Sequence, residues 1–204
     1  VNFVGPQIVC IYDNGLHLDF YTTTLDEINH YDKILPIYDP KGLLKTYQSD
    51  GLGYSPEDIG KIVSDYSFTA YYFAKAYKRK DTLFAFRLAN NLHSNYIQLL
   101  RFFINPEKAK LGMKQFAKYL GQEEAKQVMA ITKLMKYETT LIGVRTLTVA
   151  MYDAILDLPI IVTAKVDIDF FLFAKKQIFS IDEEKLWNTF LLLTQQLGKK
   201  MSLN

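Results

Sequence analysis

The sequence predicts an α+β protein that is mostly helical, with a small β region in residues 1–52 and an antiparallel helical bundle in residues 53–204. Three observations predict this fold class. Asn14-Gly15 separates two short apolar runs near the start of the chain, apolar residues recur at three-four spacing through most of the remainder, and a glycine-rich joint at residues 50–53 divides the two patterns. Hydrophobic residues make up 49% of the chain, which is enough to form a buried core.

The first predicted element is a β-hairpin. Residues 7–12 are a β-branched apolar run, and residues 16–23 alternate with period two. Asn14-Gly15 between them predicts a type I′ turn, which needs a positive φ at both central residues. Because side chains alternate between the faces of a strand, one face of the second strand carries three polar side chains: His17, Asp19 and Tyr21.

Two more elements are predicted in the β region. Thr24 and Glu27 have the spacing of a capping box, which predicts a short helix. Residues 33–38 predict a third strand, and residues 39–42 (Asp-Pro-Lys-Gly) predict the turn that ends it.

Helices are predicted for the rest of the chain. Ser55-Pro56 is a helix start, and the three-four spacing continues to about Lys78. Asp81 is the predicted N-cap of a second helix, which ends at Asn105-Pro106. The same reasoning predicts further helices over residues 108–120, 122–135, 136–156, 166–179 and 181–197. Long helices with short connections favour an antiparallel bundle.

Composition restricts the compartment and the partners. A single cysteine, Cys10, allows no disulfide within the chain and fits a reducing compartment, so we expect a cytoplasmic protein. No uninterrupted apolar run approaches the ~20 residues that span a bilayer, so no membrane partner is expected. Residues 75–118 hold ten Lys or Arg and two acids. This segment is either a phosphate-facing surface or a solvated rim, and without an aromatic-basic motif nucleic acid is not the expected partner.

The order of these motifs resembles a known enzyme family. His17-Leu18-Asp19 follows the Asn-Gly turn, and the stretch at residues 34–42 (Ile-Leu-Pro-Ile-Tyr-Asp-Pro-Lys-Gly) follows the short helix. Both resemble the end of the catalytic domain in nucleotidyltransferases that inactivate lincosamides and aminoglycosides, whose core is similar to that of DNA polymerase β. The helical half resembles the lincosamide enzymes most closely, through these residues: Lys78, Arg79, Leu92, Asn95, Gln98, Leu99 and Arg101.

The resemblance implies a reaction and a site. These enzymes transfer a nucleoside monophosphate from ATP or another NTP to a hydroxyl of a small molecule, with Mg²⁺ ions offsetting the phosphate charge. Asp19 matches the third carboxylate, which accepts the hydroxyl proton or completes the metal site. His17, Tyr21 and Tyr72 are the implied substrate-binding residues. A lincosamide is the first implied acceptor and an aminoglycoside the second.

The resemblance also implies a homodimer. The apolar content of residues 136–156 and 166–173 exceeds what one face of a bundle needs, and surplus apolar surface is typical of an interface.

The sequence departs from the family at the nucleotide site. That site uses a Gly-Ser turn followed by an Asp-x-Asp or Asp-x-Glu pair, and this sequence contains no Gly-Ser dipeptide. The nearest such pair, Asp167 and Asp169, is interpreted as a helix start. Either the motif lies upstream of Val1, or the protein is a catalytically inactive binding module. Arg87 and His93 also have the spacing of bundle-type (HEPN) ribonucleases, although six residues place them about 240° apart around a helix.

Overall fold

The computed structural model describes residues 2–4, 7–28, 30–31 and 33–182. The chain divides into two compact units, Val1–Gly51 and Leu52–Asn204. Strands lie in the first unit and helices in the second, so the predicted fold class, α+β and mostly α, is confirmed.

The first unit contains a three-stranded antiparallel sheet. Its strands are β1 (Asn2–Val4), β2 (Gln7–Ile11) and β3 (His17–Tyr21), in the order β1-β2-β3. The predicted hairpin is therefore present as β2 and β3. Its turn is not type I′, because Gly15 has a φ of +81° whereas Asn14 is not among the residues with positive φ. Gly15 N–H donates to Tyr12 O (2.8 Å), as in a three-residue loop that ends in a left-handed glycine.

The predicted helix at Thr24 is only a turn. Thr24 Oγ1 donates to Glu27 Oε2 (3.2 Å), and Glu27 N–H donates to Thr24 O (3.2 Å). Neither bond is one of the reciprocal bonds between side chain and backbone that define a capping box, and no helix follows, so this prediction is wrong. Residues 24–27 are exposed, so no buried surface offsets the cost of starting a helix.

The predicted third strand at residues 33–38 is also wrong. This segment is irregular and exposed, with Ile37 95% accessible, and β1 pairs with β2 instead. The turn that follows is present: Gly42 has a φ of +62°, and the Asp39 carboxylate accepts from the backbone N–H groups of Leu43 (2.8 Å) and Leu44 (2.9 Å).

Six α-helices lie in the described part of the second unit: α1 (Pro56–Lys78), α2 (Thr82–Ile104), α3 (Gln122–Leu134), α4 (Thr140–Leu156), α5 (Ile160–Thr163) and α6 (Ile168–Phe179). The predicted start of α1 is confirmed, because Ser55 and Asp58 form a reciprocal capping box. Asp167 accepts from Phe170 N–H (2.9 Å), so the Asp167–Asp169 pair is a helix start, as expected.

Two helix predictions need correction, and one lies outside the described residues. Residues 108–120 form two 3₁₀ segments, Pro106–Leu111 and Phe116–Lys118, because Gly112 and Gln115 take positive φ values that interrupt an α-helix. A 3₁₀ turn, Tyr137–Thr139, precedes α4. The helix predicted at 181–197 falls mostly on residues 183–204, which the structure does not describe.

The core of the second unit is formed by the facing sides of its helices, and its buried apolar residues run from Ile59 to Ile181. Tyr66 is fully buried, and its hydroxyl lies 2.9 Å from Thr148 Oγ1. Burial raises the pKa of Tyr66, so its phenol stays neutral. Within the described residues, one helical stretch, Tyr137–Leu156, is long and apolar enough to cross a membrane, and half of its most apolar window is buried inside the protein.

Candidate functional site

The polar face of β3 holds the residues that the sequence singled out. In the sheet register His17, Asp19 and Tyr21 lie opposite alternate residues of β2, so all three project from one face. His17 Nε2 lies 3.0 Å from Asp19 Oδ1. Both side chains are about half exposed, and Tyr21 is 60% exposed. The structure therefore brings the three residues together on an accessible surface.

This arrangement suits proton transfer to a carboxylate. The imidazole of His17 holds one oxygen of Asp19, which restricts the rotation of the carboxylate. The second oxygen can then accept a proton from an approaching hydroxyl, because a general base acts within hydrogen-bond distance of the proton it removes.

Asp19 fits a metal only as one ligand of several. Magnesium usually takes one or two protein carboxylates and completes its octahedron with phosphate oxygens and water. Asp19 can supply one such oxygen. Among the described residues, no group of three or more His, Cys, Asp or Glu side chains is placed to hold a metal ion. A complete metal site therefore needs further ligands from a nucleotide or from other carboxylates.

The opposite face of the sheet is apolar and open. Ile8 and Phe20 lie opposite each other in the register, beside the Cys10–Leu18 pair. Ile8 is 38% and Phe20 53% exposed, and none of the described residues from Gln7 to Gly51 is buried. Natural sheets usually cover an apolar face, so this face is incomplete by itself.

A groove in the first unit was not predicted from the sequence. Its volume is ≈ 420 Å³, and it lies between the segment after β3 and the turn at Asp39. Its lining residues are Thr23, Thr24, Leu25, Ile28, Tyr38, Asp39, Pro40, Lys41, Leu43 and Leu44. Four of these ten residues belong to the stretch at 34–42, so the motif that suggested the family also lines a concave surface.

Tyr72 belongs to the second unit. It lies on α1 with half of its surface exposed and contacts Tyr71 edge-on, with ring centroids 5.7 Å apart. Its neighbour Phe73 is fully buried in the core. The aromatic cluster at residues 68–73 is therefore shared between the core and the surface, and Tyr72 is available to a ligand. Its assignment to the substrate stays a prediction.

The ribonuclease-like pair is separated on α2. Arg87 is exposed, whereas His93 is half-buried and its Nε2 lies 3.1 Å from Thr132 Oγ1 on α3. Burial lowers the pKa of His93, so the ring is neutral at physiological pH. A packed histidine and a surface arginine do not form one catalytic site.

The α2 residues behind the resemblance have clear packing roles. Tyr54 Oη donates to Gln98 Oε1 (3.1 Å). Arg101 is completely buried, and its Nη1 donates to the carbonyls of Gly112 (2.6 Å) and Lys114 (2.7 Å). Sequence reasoning matched Arg101 to the family without anticipating its burial; an arginine among apolar helix positions was the available signal.

Comparison of the chain with protein-family models, with curated proteins and with solved structures found no match.

Proposed function

We propose that this chain carries the acceptor side of a nucleotidyltransferase, with Asp19 as the general base for the acceptor hydroxyl. One observation carries the proposal: an exposed carboxylate on the strand after a hairpin, held by a histidine 3.0 Å away on the same face. In-line transfer of a nucleotidyl group needs such a base beside the attacking oxygen.

Each side chain has a proposed role. Asp19 accepts the hydroxyl proton and supplies one oxygen to Mg²⁺, while the metal offsets the charge on the phosphates of ATP or another NTP when bound. His17 orients the carboxylate. Tyr21, on the same strand face, offers aromatic surface to a small-molecule acceptor. Tyr72 is implied as a substrate-binding residue by the resemblance alone. We propose a lincosamide as acceptor before an aminoglycoside, because the basic residues between 75 and 118 disfavour a polycation.

The exposed apolar face of the sheet supports the proposal. A nucleotidyltransferase core needs the Gly-Ser turn and the carboxylate pair that this sequence lacks. Additional β structure carrying them would cover Ile8 and Phe20, whose side chains are exposed in this unit. We also propose a cytoplasmic location, based on the lone half-buried Cys10.

A non-catalytic binding module is the second candidate. It is kept because this sequence contains no Gly-Ser dipeptide, and therefore no Gly-Ser turn before an Asp-x-Asp pair. Of the two module types, the ribonuclease-like one is disfavoured by the packing of His93 against Thr132. The coding sequence upstream of Val1 distinguishes enzyme from module: a Gly-Ser turn followed by Asp-x-Asp supports the enzyme, and a start codon at Val1 supports the module.

The test is Asp19→Asn in a protein that includes the upstream carboxylates. Transfer of labelled ATP to lincomycin or an aminoglycoside should fall about 10²–10⁴-fold, the usual contribution of a positioned base. The melting temperature should be unchanged, because replacing an exposed carboxylate with an isosteric amide changes the free energy of unfolding by no more than about 0.5 kcal/mol. Asp13→Asn, on the exposed turn of the same hairpin, is the matched control and should transfer normally. The 204-residue chain alone should transfer nothing. Parental turnover in Asp19→Asn would show that Asp19 is only a surface residue.

A further inference from the structure

The outer faces of α1 and α6 join into one surface that neither helix forms alone. Three contacts connect the two helices: Phe68 with Phe170, Tyr71 with Phe173, and Lys78 with Ser180. The partners in each contact are 102 residues apart, so the two helices run parallel and end at the same side of the bundle. The exposed members of this surface, here called the α1–α6 surface, are Phe68, Tyr72, Lys75, Arg79, Phe173 and Lys176.

Aromatic rings lie in a continuous row across the α1–α6 surface. Their centroids are 4.6 Å apart for Phe68 and Phe170, 6.4 Å for Phe170 and Phe173, 5.9 Å for Phe173 and Tyr71, and 5.7 Å for Tyr71 and Tyr72. Phe68, Tyr72 and Phe173 are 53%, 50% and 47% exposed, respectively. Phe170 and Tyr71 are half-buried, and each contacts a ring of the other helix, so they fill the groove between α1 and α6.

Positive charges continue this row along both helices. On α1, the four members of the surface fall within an arc of about 60° and span about 16 Å, at about 100° and 1.5 Å per residue. Lys75 and Arg79 follow the rings of α1, and Lys176 follows Phe173 on α6. One strip of surface therefore leads from exposed rings to exposed cations.

The charge of this region is strongly positive. Residues 66–80 and 170–181 contain six Lys or Arg and neither Asp nor Glu. The nearest preceding acid on α1, Asp65, is paired with Lys61 (2.6 Å), and Asp169 lies at the aromatic end of α6. Cations near the C-terminus of a helix are stabilised by its dipole, but the dipole gives no reason for aromatic rings to be exposed beside them. Rings and cations together are complementary to a ligand that is both planar and anionic.

We propose that the α1–α6 surface binds single-stranded nucleic acid, with bases stacked on its exposed rings and phosphates held by its three cations. Every base has a planar face, so aromatic side chains can hold a strand without reading its sequence. Lysine and arginine neutralise the phosphates. The segment at 75–118 lacked an aromatic-basic motif because the aromatic residues of this surface lie before it on α1 and about a hundred residues later on α6.

The same surface argues against a partner helix and against a bilayer. A partner helix inserts side chains into a groove, and this groove is filled by Phe170 and Tyr71. A bilayer takes up side chains that project into it, whereas Phe68 and Phe173 have about half of their surface covered by neighbouring residues. A base needs only the open face of a ring.

Fluorescence anisotropy with the full chain tests the proposal. The probes are labelled oligouridine and oligodeoxythymidine of about 12 nucleotides, within the usual site size of a single-strand binding surface. At least one should bind, and a duplex of the same length should bind at least about tenfold more weakly, because its bases are stacked on each other. For three phosphate contacts, binding should weaken about 20-fold between about 50 and 200 mM salt.

Variants separate the rings from the cations. Phe173→Ala should weaken binding about 5- to 100-fold, the usual loss of one stacking ring, whereas Phe103→Ala, on α2 and 38% exposed, should change it less than about twofold. Lys75→Gln/Arg79→Gln should reduce the slope of log affinity against log salt by about 1.4. Lys126→Gln/Lys133→Gln, on α3, is the matched control and should keep the slope. Melting temperatures identify any variant that is unfolded, and the two sets change different residues, so either one can decide.

Four results would overturn the proposal. They are binding of neither oligonucleotide at low salt, equal binding of the duplex, equal displacement by an oligoglutamate of the same charge, and equal effects of the surface and control variants. Flotation with phosphatidylserine vesicles that Phe173→Ala abolishes, without oligonucleotide binding, would assign the surface to a membrane instead. These tests measure no transferase activity, so they stand or fall independently of the role of Asp19.

Discussion

The most unusual side chain in the helical unit is Arg101, a fully buried guanidinium. The guanidinium carbon of Arg101 lies about 6 Å from the ring centroids of Phe116 and Tyr119. Among the described residues, no carboxylate lies within ion-pair distance, and its Nε and Nη2 make no hydrogen bond. Two backbone carbonyls and two aromatic faces therefore stabilise the charge. Arg101 thereby fastens to α2 the connection between the two 3₁₀ segments, whose own backbone hydrogen bonds span only three residues.

Replacing Arg101 should destabilise the protein. Arg101→Met removes two hydrogen bonds from a charged donor to the carbonyls of Gly112 and Lys114. This loss exceeds the relief of desolvation, so unfolding should become easier by about 2–4 kcal/mol. Arg87→Met, an exposed arginine on the same helix, should change stability by less than about 0.5 kcal/mol. Urea titration followed by circular dichroism measures both. Equal midpoints for the two variants would show that Arg101 does not fix the segment.

At the scale of elements, the contact between α1 and the connection before α6 depends on a glycine. A Cβ added to Gly60 would collide with the backbone carbonyl of Lys165. Backbone cannot move aside as a flexible side chain does. The absence of a side chain therefore allows α1 to lie directly against this connection.

Gly60→Ala tests this contact through two opposing effects. Alanine favours a helix interior by about 1 kcal/mol, whereas overpacking costs typically about 1–3 kcal/mol. The collision is with backbone, so we expect the steric cost to dominate and the melting temperature to fall. Ser64→Ala, one turn further along α1, receives a propensity gain without this collision and should melt slightly higher. A higher melting temperature for Gly60→Ala would mean that the connection yields easily.

At the scale of the whole molecule, the sequence predicted features that depend on neighbouring residues, but it did not predict which distant segments pair with each other. Ser55 and Asp58 form the expected cap, because a capping box needs only neighbouring residues. The hairpin was placed correctly, but its turn type depends on the backbone angle of Asn14, which residue type does not determine. The prediction of a strand at 33–38 was wrong because strand pairing depends on residues distant in the sequence. The short strand β1 pairs with β2 instead.

The candidate site likewise has features that the sequence predicted and features that it did not. Period two alone placed His17 and Asp19 on one face, and the structure adds the 3.0 Å distance between them. The groove beside Asp39 depends on how residues 23–44 fold back, which no local pattern indicated. Burial of Arg101 likewise depends on a segment eleven to thirteen residues away.

The distribution of the core predicts that the helical unit folds alone. Among the described residues, all members of the hydrophobic core lie between Ile59 and Ile181, and none of those from Gln7 to Gly51 is buried. Residues 52–204, produced separately, should therefore show helical circular dichroism and one cooperative melting transition. Residues 1–51 should show neither, because isolated hairpins with exposed apolar faces are marginal in water.

A slightly shorter fragment shows whether the joint contributes. Lys110 N–H donates to Leu52 O (2.8 Å), and Tyr54 donates to Gln98. A fragment of residues 55–204 keeps the Ser55 cap but loses both bonds, so it should be less stable than residues 52–204 by about 1–3 kcal/mol, at roughly 0.5–1.5 kcal/mol for each bond. Equal stability of the two fragments would assign no structural role to residues 52–54. A non-cooperative transition in residues 52–204 would instead show that the first unit is needed to complete the helical core.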